Sequence, residues 1–214
     1  QAEEVDDVGF AIALLDALEA EFAVDEGRVY AMGVSNGGMF SQRLAVEQSG
    51  RLAAIASVIG GLPKPLAEDF SPDAPVSVLI MKGTEDPLVP YDGGSIGFEG
   101  LNRLAKIFRR PGRGSVVSAD REVRLWVRHN DLRGGLETED LPDTDPDDGT
   151  RVERKVWTDA DRGLSVAFYR IVGGGHGYPG GRQYLPERLI GKVCRDIDAS
   201  EVIWDFFSRH ERRK

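Results

Sequence analysis

The amino-acid sequence predicts an α/β domain with a mostly parallel sheet, and three features carry this prediction. Apolar runs of strand length recur along the chain, for example at 53–59 and 76–81. Stretches with helical periodicity stand between such runs, and glycine-rich turns close them. An all-apolar strand fits a parallel sheet that is covered on both faces. We therefore expect a three-layer sandwich in which helices cover both faces of one sheet.

The N-terminal half is predicted to alternate helices with strands. Apolar residues at three- and four-residue steps favour a helix whose apolar positions include Leu18 and Phe22. Asp6 and Asp7 fall in its first turn, where negative charge suits the helix dipole. The predicted elements are, in order, that helix at 4–23, a turn at 25–27, a buried strand at 29–34, a helix at 39–47, a buried strand at 53–59, a proline-rich loop at 63–75 and a buried strand at 76–81.

The C-terminal half is predicted to combine helices with a hairpin. Two strand-like runs flank the turn Asp161-Arg162-Gly163, which favours an antiparallel pair. A strongly acidic stretch with prolines favours an exposed loop. The predicted elements are, in order, helices at 101–108 and 121–128, the acidic loop at 137–148, hairpin strands at 151–158 and 164–172, and a helix from Ala199 to about His210 that Asp198 caps.

The overall composition limits the domain organisation and the partners. The chain has 214 residues, which suits a single domain over 1–214 with a substantial core. Its net charge of −9 disfavours nucleic acid and anionic membranes as partners, because phosphate groups would be repelled. No apolar run in the sequence approaches the length of a membrane span. The single cysteine, Cys194, excludes an internal disulfide and leaves the compartment open.

The segment Gly33-Val34-Ser35-Asn36-Gly37 matches the G-x-S-x-G pattern of a nucleophile elbow. In such an elbow a serine occupies a tight, strained turn between a strand and a helix, and the flanking glycines have no side chain to collide with either element. The Ser35 hydroxyl would then stand at the sheet edge, in front of the N-terminus of a helix. The alternative is a glycine-rich turn with no chemistry.

Two further strand ends carry the residues that would complete a catalytic triad. Asp86 follows the strand at 76–81, and His176 follows the strand at 164–172. A serine hydroxyl is a poor nucleophile until a base takes its proton, and histidine titrates near neutral pH. The acid would fix the imidazole tautomer and stabilise the imidazolium. The chain order of serine, acid and histidine is that of α/β-hydrolases.

Each partner of Ser35 has a structural alternative. Asp86 precedes Pro87, so its side chain could instead form an Asx-turn, and Glu85 is the neighbouring competitor for the acid. His176 could be a histidine in a flexible glycine loop. The other histidines stand in a predicted helix and near the charged C-terminus. We favour Asp86 and His176, because loops that directly follow strands are where these roles are expected.

Four segments together resemble the polyhydroxybutyrate depolymerase and feruloyl esterase group of α/β-hydrolases. They are GVSNGGM, GTEDPLVPY, GGGHGYPG and IWDFFSRH, in that order along the chain. The resemblance implies an extracellular or periplasmic type of carboxylic ester hydrolase, with Ser35 as nucleophile, Asp86 as acid and His176 as base. It also implies that the Asn36 backbone N–H is one oxyanion donor. Relatives often carry cysteines near the stretch matching 126–131, and tryptophan where this chain has Tyr178.

Only 34 residues precede Ser35, which is enough for one helix and one strand. Members of the resembled group build several strands before the nucleophile, and one early loop supplies the second oxyanion donor. Loss of one such donor typically costs about 10²–10³ in rate. Because the chain also starts at Gln1 without a signal-peptide pattern, we expect it to be the C-terminal part of a longer hydrolase. A parallel strand edge would then be exposed, open to association or to the missing N-terminal segment.

Two weaker signals concern metal and substrate binding. Asp143, Asp145 and Asp147 imitate the start of a calcium loop, but the later positions do not follow the EF-hand pattern. We therefore expect a solvated acidic loop and no metal site. Among the aromatic residues that could line a substrate pocket, Tyr178 is the preferred candidate, because it lies just past His176, whereas Trp126 is expected in the core.

These observations predict a serine esterase that forms an acyl-enzyme and needs no cofactor. Its substrate would be a small or polymeric ester: a polyester, a feruloyl ester or a short-chain or aryl ester. One alternative is a serine peptidase of the prolyl-oligopeptidase kind, which shares the fold and the triad order. The other is an inactive, hydrolase-like interaction module.

Overall fold

A computed structural model describes residues 5–97 and 114–212, and the helix predicted at 101–108 lies outside them. Its strands are β1 (Tyr30–Val34), β2 (Ala54–Val58), β3 (Ser77–Gly83), β4 (Gly94–Ser95), β5 (Ser115–Val116), β6 (Glu137–Asp140), β7 (Arg151–Asp159) and β8 (Leu164–Val172). Its α-helices are α1 (Asp7–Glu21), α2 (Asn36–Glu47), α3 (Lys64–Glu68), α4 (Ala119–His129), α5 (Glu187–Ile190) and α6 (Ala199–Ser208). Within these ranges no helix is both long and apolar enough to span a bilayer.

One mixed sheet organises the described part of the chain, with the strand order β1-β2-β3-β8-β7-β6. The strands β1, β2, β3 and β8 run parallel, while β7 and β6 are antiparallel to their neighbours. A separate pair, β4 and β5, is antiparallel. Since parallel strands end at the same edge of a sheet, the loops after β1, β3 and β8 meet there.

Alternate residues of the central strands point into two different apolar clusters. On one face, Leu79 and Met81 of β3 pack with Ile203 and Phe207 of α6. On the other face, alternate residues of β2 and β3 pack with residues of α2 and α4, including the fully buried Trp126. Every residue of β2 and β3 is buried. The predicted α/β fold with a mostly parallel sheet covered on both faces is therefore confirmed, as is the core position of Trp126.

The hairpin and the C-terminal helix form where they were predicted. The strands β7 and β8 pair antiparallel from Arg151↔Val172 to Asp159↔Leu164. The helix α6 begins after Asp198, whose side chain accepts hydrogen bonds from the backbone N–H groups of Ser200 (2.7 Å) and Glu201 (3.3 Å). This is the expected N-cap arrangement.

The prediction of a continuous acidic loop at 137–148 was wrong at its start. The acidic segment Glu137–Asp140 forms β6, which pairs antiparallel with β7. All its residues are exposed, so backbone hydrogen bonds rather than apolar burial define this strand. Arg154 of β7 adds ion pairs to Glu137 (3.8 Å) and Glu139 (3.5 Å). Charged side chains are a common feature of sheet edges, because they disfavour pairing with another chain. The loop predicted at 63–75 also contains the short helix α3.

The first helix and the first strand are more exposed than the central strands, and the prediction of a buried first strand was wrong. In α1 only Val8 is buried, and apolar side chains such as Leu18 and Phe22 are exposed. The helix begins after Asp6, which caps it by accepting from the Gly9 N–H (2.8 Å) instead of standing in its first turn. The apolar residues of β1 are exposed or partly buried, because β1 ends the described sheet on one side. The expected exposed parallel edge is therefore present, and association through it stays a prediction.

Candidate active site

Ser35 lies at the turn between β1 and α2 in a backbone conformation that non-glycine residues seldom adopt. Its φ and ψ are 56° and −116°, and its N–H donates to the Val58 carbonyl of β2 (2.8 Å). The residue occupies the N-cap position of α2, but its side chain makes no capping hydrogen bond. The hydroxyl therefore remains available for another partner, and strain of this kind often marks functional positions.

The glycines around Ser35 do not all serve the same purpose. A Cβ on Gly33 would lie 2.1 Å from the Gly37 carbonyl carbon, so this position requires glycine for the tight turn. A Cβ on Gly38 would lie 2.8 Å from the Ser57 hydroxyl oxygen, so glycine at position 38 permits a close contact between α2 and β2. A Cβ on Gly37 would meet no atom within 4 Å. The expectation that both flanking glycines prevent collisions is thus correct for Gly33 and wrong for Gly37, because Gly38 takes the second role.

His176, which follows β8, contacts Ser35 after β1 and Asp86 after β3. Its Nε2 lies 2.8 Å from Ser35 Oγ, and its Nδ1 lies 2.8 Å from Asp86 Oδ2. The side chains of His176 and Asp86 are 5% and 0% exposed. The structure therefore brings together all three residues that the sequence selected, in the order hydroxyl, imidazole, carboxylate. This is the geometry that lets an imidazole take a proton from a hydroxyl while a carboxylate holds the ring.

Asp86 makes both of the contacts that sequence reasoning treated as alternatives. Its Oδ1 accepts from the backbone N–H groups of Leu88 (2.8 Å) and Val89 (2.9 Å), which forms a turn around Pro87. Its Oδ2 faces His176. Because the turn occupies one oxygen and the imidazole the other, the local turn fixes the carboxylate at the angle that His176 needs.

The loop that carries His176 is packed rather than loose. The His176 N–H donates to the Ile190 carbonyl (2.5 Å), and the Glu85 N–H donates to the Gly174 carbonyl (2.9 Å). A Cβ on Gly83 would lie 2.3 Å from the Gly174 carbonyl oxygen, so glycine at position 83 permits this close contact between the two loops. The alternative of a histidine in a flexible glycine loop does not fit this arrangement.

The competing residues have other surroundings. Glu85, the neighbour of Asp86, is exposed. His129 ends α4, and its Nε2 lies 3.1 Å from the Ala74 carbonyl oxygen. His210 is buried, and its Nε2 lies 2.7 Å from Ser165 Oγ. Each of these two histidines therefore has a hydrogen-bond partner of its own, and neither partner is Ser35.

Asn36 is the first residue of α2 and is exposed. The first N–H groups of a helix have no acceptor within the helix, so the Asn36 N–H is directed to the space in front of α2. An open cleft of about 1730 Å³ lies beside it, and its lining includes Asn36, Gly37, Met39 and Ile96. The role of Asn36 as an oxyanion donor stays a prediction.

Tyr178 and Tyr184 occupy different surroundings. The Tyr178 hydroxyl lies 3.0 Å from Ser200 Oγ of α6, and the ring packs against the core cluster that includes Ile203. The prediction that Tyr178 faces substrate stays untested. Tyr184, which sequence reasoning did not select, is exposed and donates its hydroxyl to the His176 carbonyl (3.1 Å). Partial burial and the nearby charge of Asp86 raise the pKa of Tyr184. No spacing rule marks Tyr184, because its proximity arises from a loop that folds back.

Asp148 at the end of the acidic loop lies near two residues of the segment before α6 that could also bind a metal. Within the described ranges, ligand atoms of Asp148, Cys194 and Asp196 lie within 4.8 Å of one another. The carboxylate oxygens of Asp148 accept from the backbone N–H groups of Thr150 and Arg195, both at 2.6 Å. These hydrogen bonds tie the acidic loop to the segment before α6. The predicted absence of a metal site stays a prediction.

Comparisons with known proteins find esterases. The chain is 34% identical over 200 residues to a protein named putative esterase NocK from Nocardia uniformis subsp. tsuyamanensis, covering 94% of this chain and 56% of that protein. It is 32% identical over 89 residues to feruloyl esterase C from Emericella nidulans, covering 42% of this chain and 32% of the relative. It is 25% identical over 177 residues to feruloyl esterase B from Piromyces equi, covering 81% and 29%.

The matches cover only part of the length of each relative. The chain spans 56% of the length of the first of these relatives and 32% and 29% of the feruloyl esterases. No protein-family model matches the chain. A solved structure described as a thermostable esterase superposes with a TM-score of 0.46 at 14% identity, covering 97% of this chain and 38% of that one. At that level the structural likeness carries no argument about this chain.

Proposed function

We propose that this chain belongs to an esterase group of the α/β-hydrolase type and carries the catalytic residues of a carboxylic ester hydrolase. The named relatives confirm the resemblance to esterases that was stated from the sequence. The assignment of the reaction to particular residues is our own inference. It depends on one observation: Ser35 Oγ and Asp86 Oδ2 lie at 2.8 Å from opposite nitrogens of the same buried imidazole.

The proposed reaction proceeds in two steps through an acyl-enzyme. In the first step His176 takes the Ser35 proton at Nε2 while Ser35 Oγ bonds to the ester carbonyl carbon. The bond from that carbon to the alcohol oxygen then breaks, and His176 gives its proton to the leaving alcohol. In the second step His176 takes a proton from water while the water oxygen bonds to the acyl carbon; the bond from that carbon to Ser35 Oγ then breaks, and His176 returns the proton to Ser35 Oγ as the acid leaves. Asp86, held through its other oxygen, stabilises the imidazolium throughout.

The negative charge that develops on the carbonyl oxygen requires donors in front of Ser35. We assign one donor to the Asn36 N–H, since Asn36 begins a twelve-residue helix whose positive dipole end faces the same space. Nothing in this reaction requires a metal or an organic cofactor, because every proton transfer is assigned to a side chain. The open cleft beside Asn36 offers room for a substrate.

The substrate class follows from the names of the relatives. Those relatives are named feruloyl esterases and a putative esterase, which favours aryl, feruloyl or short-chain esters for this protein. A polymeric ester is also compatible with the cleft, because it is open. We therefore propose ester rather than peptide substrates. The prolyl-oligopeptidase alternative shares the same three residues, so only turnover distinguishes the two.

Kinetics on a substrate panel tests this proposal. The panel contains p-nitrophenyl acetate, p-nitrophenyl butyrate, methyl ferulate, polyhydroxybutyrate and a prolyl p-nitroanilide. We expect ester turnover that Ser35→Ala lowers by about 10⁵-fold or more, as in serine hydrolases whose nucleophile is removed. Ser208→Ala, on the exposed face of α6, is the control and should keep wild-type turnover.

The outcomes separate the three candidate functions. Ester turnover that depends on Ser35 supports the proposal. Faster turnover of the prolyl p-nitroanilide than of every ester would favour the peptidase. Absence of turnover with all five substrates, in a folded protein, would favour the inactive interaction module.

A further inference from the structure

A lysine without any solvent exposure lies directly behind the site. Lys82 is the penultimate residue of β3, and its relative exposure is 0%. Its Nζ donates to the Gly60 carbonyl (2.5 Å) and to the Val89 carbonyl (3.4 Å). A buried lysine is uncommon, because removing an ammonium group from water is costly unless partners compensate. Its partners therefore indicate what this side chain does.

The two carbonyls belong to the two loops that hold Ser35 and Asp86 in place. Gly60 packs against the first turn of α2, since a Cβ on Gly60 would lie 3.0 Å from Gly38 Cα. Val89 donates its N–H to Asp86 Oδ1 (2.9 Å). A single ammonium group thus joins the loop that supports the nucleophile helix to the loop that supports the acid.

A second buried charge completes the connection. Glu122 of α4 is fully buried, accepts from the Leu62 N–H (3.1 Å) and accepts from the Gln42 side-chain amide of α2. The Trp126 indole N–H donates to the Gln42 side-chain oxygen (2.7 Å). The loop after β2 is therefore held twice, through Gly60 by Lys82 and through Leu62 by Glu122. These side chains also connect it to the nucleophile helix.

Burial and charge act in opposite directions on these two groups. Burial lowers the pKa of Lys82, and the charges of Glu122 and Asp86 oppose that effect. Burial raises the pKa of Glu122, and the charge of Lys82, followed by hydrogen bonds from Leu62 and Gln42, opposes it. Replacement of a buried charged pair by apolar residues is often neutral or stabilising in proteins. Stability alone therefore does not account for a lysine at this position.

We propose that Lys82 is a positioning residue of the ester-hydrolysing site. By holding the Gly60 and Val89 carbonyls together, it sets the separation at which Ser35 and Asp86 both reach His176. The inference rests on the proposed triad. Lys82 acts through backbone groups and is not expected to touch the substrate.

The experiment compares Lys82→Met with the double variant Lys82→Met/Glu122→Gln. Methionine is similar in length but donates no hydrogen bond, so the two loops lose their link. We expect kcat to fall about 10–100-fold, because a displacement of about 1 Å at a reacting group costs up to about 10²-fold. KM should change by less than about twofold, since ground-state contacts with the ester are retained.

The double variant separates positioning from stability. Lys82→Met leaves Glu122 as an uncompensated buried charge, which lowers the free energy of unfolding. Glu122→Gln removes that charge and keeps one acceptor, which can serve the Leu62 N–H or the Gln42 side-chain amide but not both, so part of the stability should return while kcat stays low. Val78→Ala, near the opposite end of β3, is the matched control. It should lose stability through a core cavity and keep wild-type kcat.

Three results would overturn the proposal. The first is wild-type kcat in Lys82→Met. The second is recovery of kcat together with stability in the double variant, which would give Lys82 a purely structural role. The third is failure of both variants to fold while Val78→Ala folds. Ser35→Ala is assayed alongside: if it retains turnover, the triad itself fails, and if it is inactive while Lys82→Met is normal, only the role of Lys82 fails.

Discussion

The acid and base stand in a closed part of the molecule, whereas the nucleophile stands at an open one. The strand β3 is buried at every residue, and it leads to an Asp86 side chain without solvent exposure. The strand β1 exposes Met32 and Val34, at 46% and 40%, and leads to Ser35 and the exposed Asn36. Both strands belong to one sheet, with β2 between them.

This difference leads to different expectations for substitutions in the two parts of the site. Buried hydrogen bonds around Asp86 fix the position of its carboxylate relative to the His176 imidazole. Ser35 is followed by α2, whose first residues Asn36 and Gly37 line an open cleft. We therefore expect substitutions in the closed part to change the rate of proton transfer or the stability of the fold, and substitutions at the open edge to be tolerated.

Within the closed part, the largest effect is expected for Asp86→Asn. Its amide would still accept from Leu88 and Val89, but the group facing His176 would no longer carry charge, so kcat should fall about 10⁴-fold. The measurement is kcat for a p-nitrophenyl ester. The matched control is Glu85→Gln, the exposed neighbour, which should keep wild-type kcat. An equal loss in both variants would reopen the choice between these two carboxylates.

The next largest effect is on the free energy of unfolding, and we expect it to differ between substitutions in β3 and in β1. Ile80→Ala in β3 removes a fully buried side chain and should lower the free energy of unfolding by about 2–5 kcal/mol. Met32→Ala in β1 removes an exposed side chain and should change it by about 0.5 kcal/mol or less. Urea unfolding of both variants checks this. A similar loss for Met32→Ala would mean that the outer face of β1 is covered in solution.

A smaller effect is expected in the turn that carries Ser35, where Gly33 is tightly packed and Gly37 is not. Gly33→Ala would place its Cβ 2.1 Å from the Gly37 carbonyl carbon, so the turn must shift; we expect a loss of about 1–3 kcal/mol together with reduced ester turnover. Gly37→Ala would place its Cβ in open space and should keep both stability and kcat. Thermal unfolding and kcat of the pair test this. Equal damage in both variants would contradict the assignment of the tight contact to Gly33.

The smallest effect concerns pH, and it originates at the buried His210. Burial lowers the pKa of His210, the Phe206 carbonyl opposes this, and the charge of Arg209 adds to it; Ser165 faces the other ring nitrogen. Between the folded-state pKa and the unfolded value near 6.5, the unfolded chain binds more protons. The contribution of His210 to the free energy of unfolding is therefore fully present above the unfolded-state pKa, and it is lost as the pH falls through the folded-state pKa.

Thermal unfolding at about pH 8 and about pH 5 measures this loss, because histidine is the side chain that titrates in that interval. In His210→Gln the difference between the two conditions should be smaller than in the wild type. An unchanged difference would assign the pH dependence to other groups.

Sequence reasoning succeeded where one local pattern decides the structure. The elbow, the β7–β8 hairpin and the cap at Asp198 each depend on a few neighbouring residues, and all three form at the expected places. The convergence of Ser35, Asp86 and His176 could be predicted because parallel strands end at one edge. The first three cases need only a short-range rule, whereas the convergence follows from the parallel order of the strands.

Sequence reasoning failed where long-range packing decides the outcome. The acidic strand β6 has no apolar alternation and exists because β7 offers it a backbone partner. Lys82 and Glu122 are charged, so no pattern marks them as buried, and only the packing of α4 against the sheet places them there. The first strand was predicted to be buried, but only its Gly33 is buried, because β1 ends the described sheet on one side.

The most direct test of the account is identification of the acylated residue. The protein is mixed with a p-nitrophenyl ester, quenched with acid during turnover and digested, and its peptides are analysed by mass spectrometry. The account predicts an acyl adduct on Ser35 that is absent from Ser35→Ala. Ester turnover with the adduct on another residue, or turnover that persists in Ser35→Ala, would contradict it.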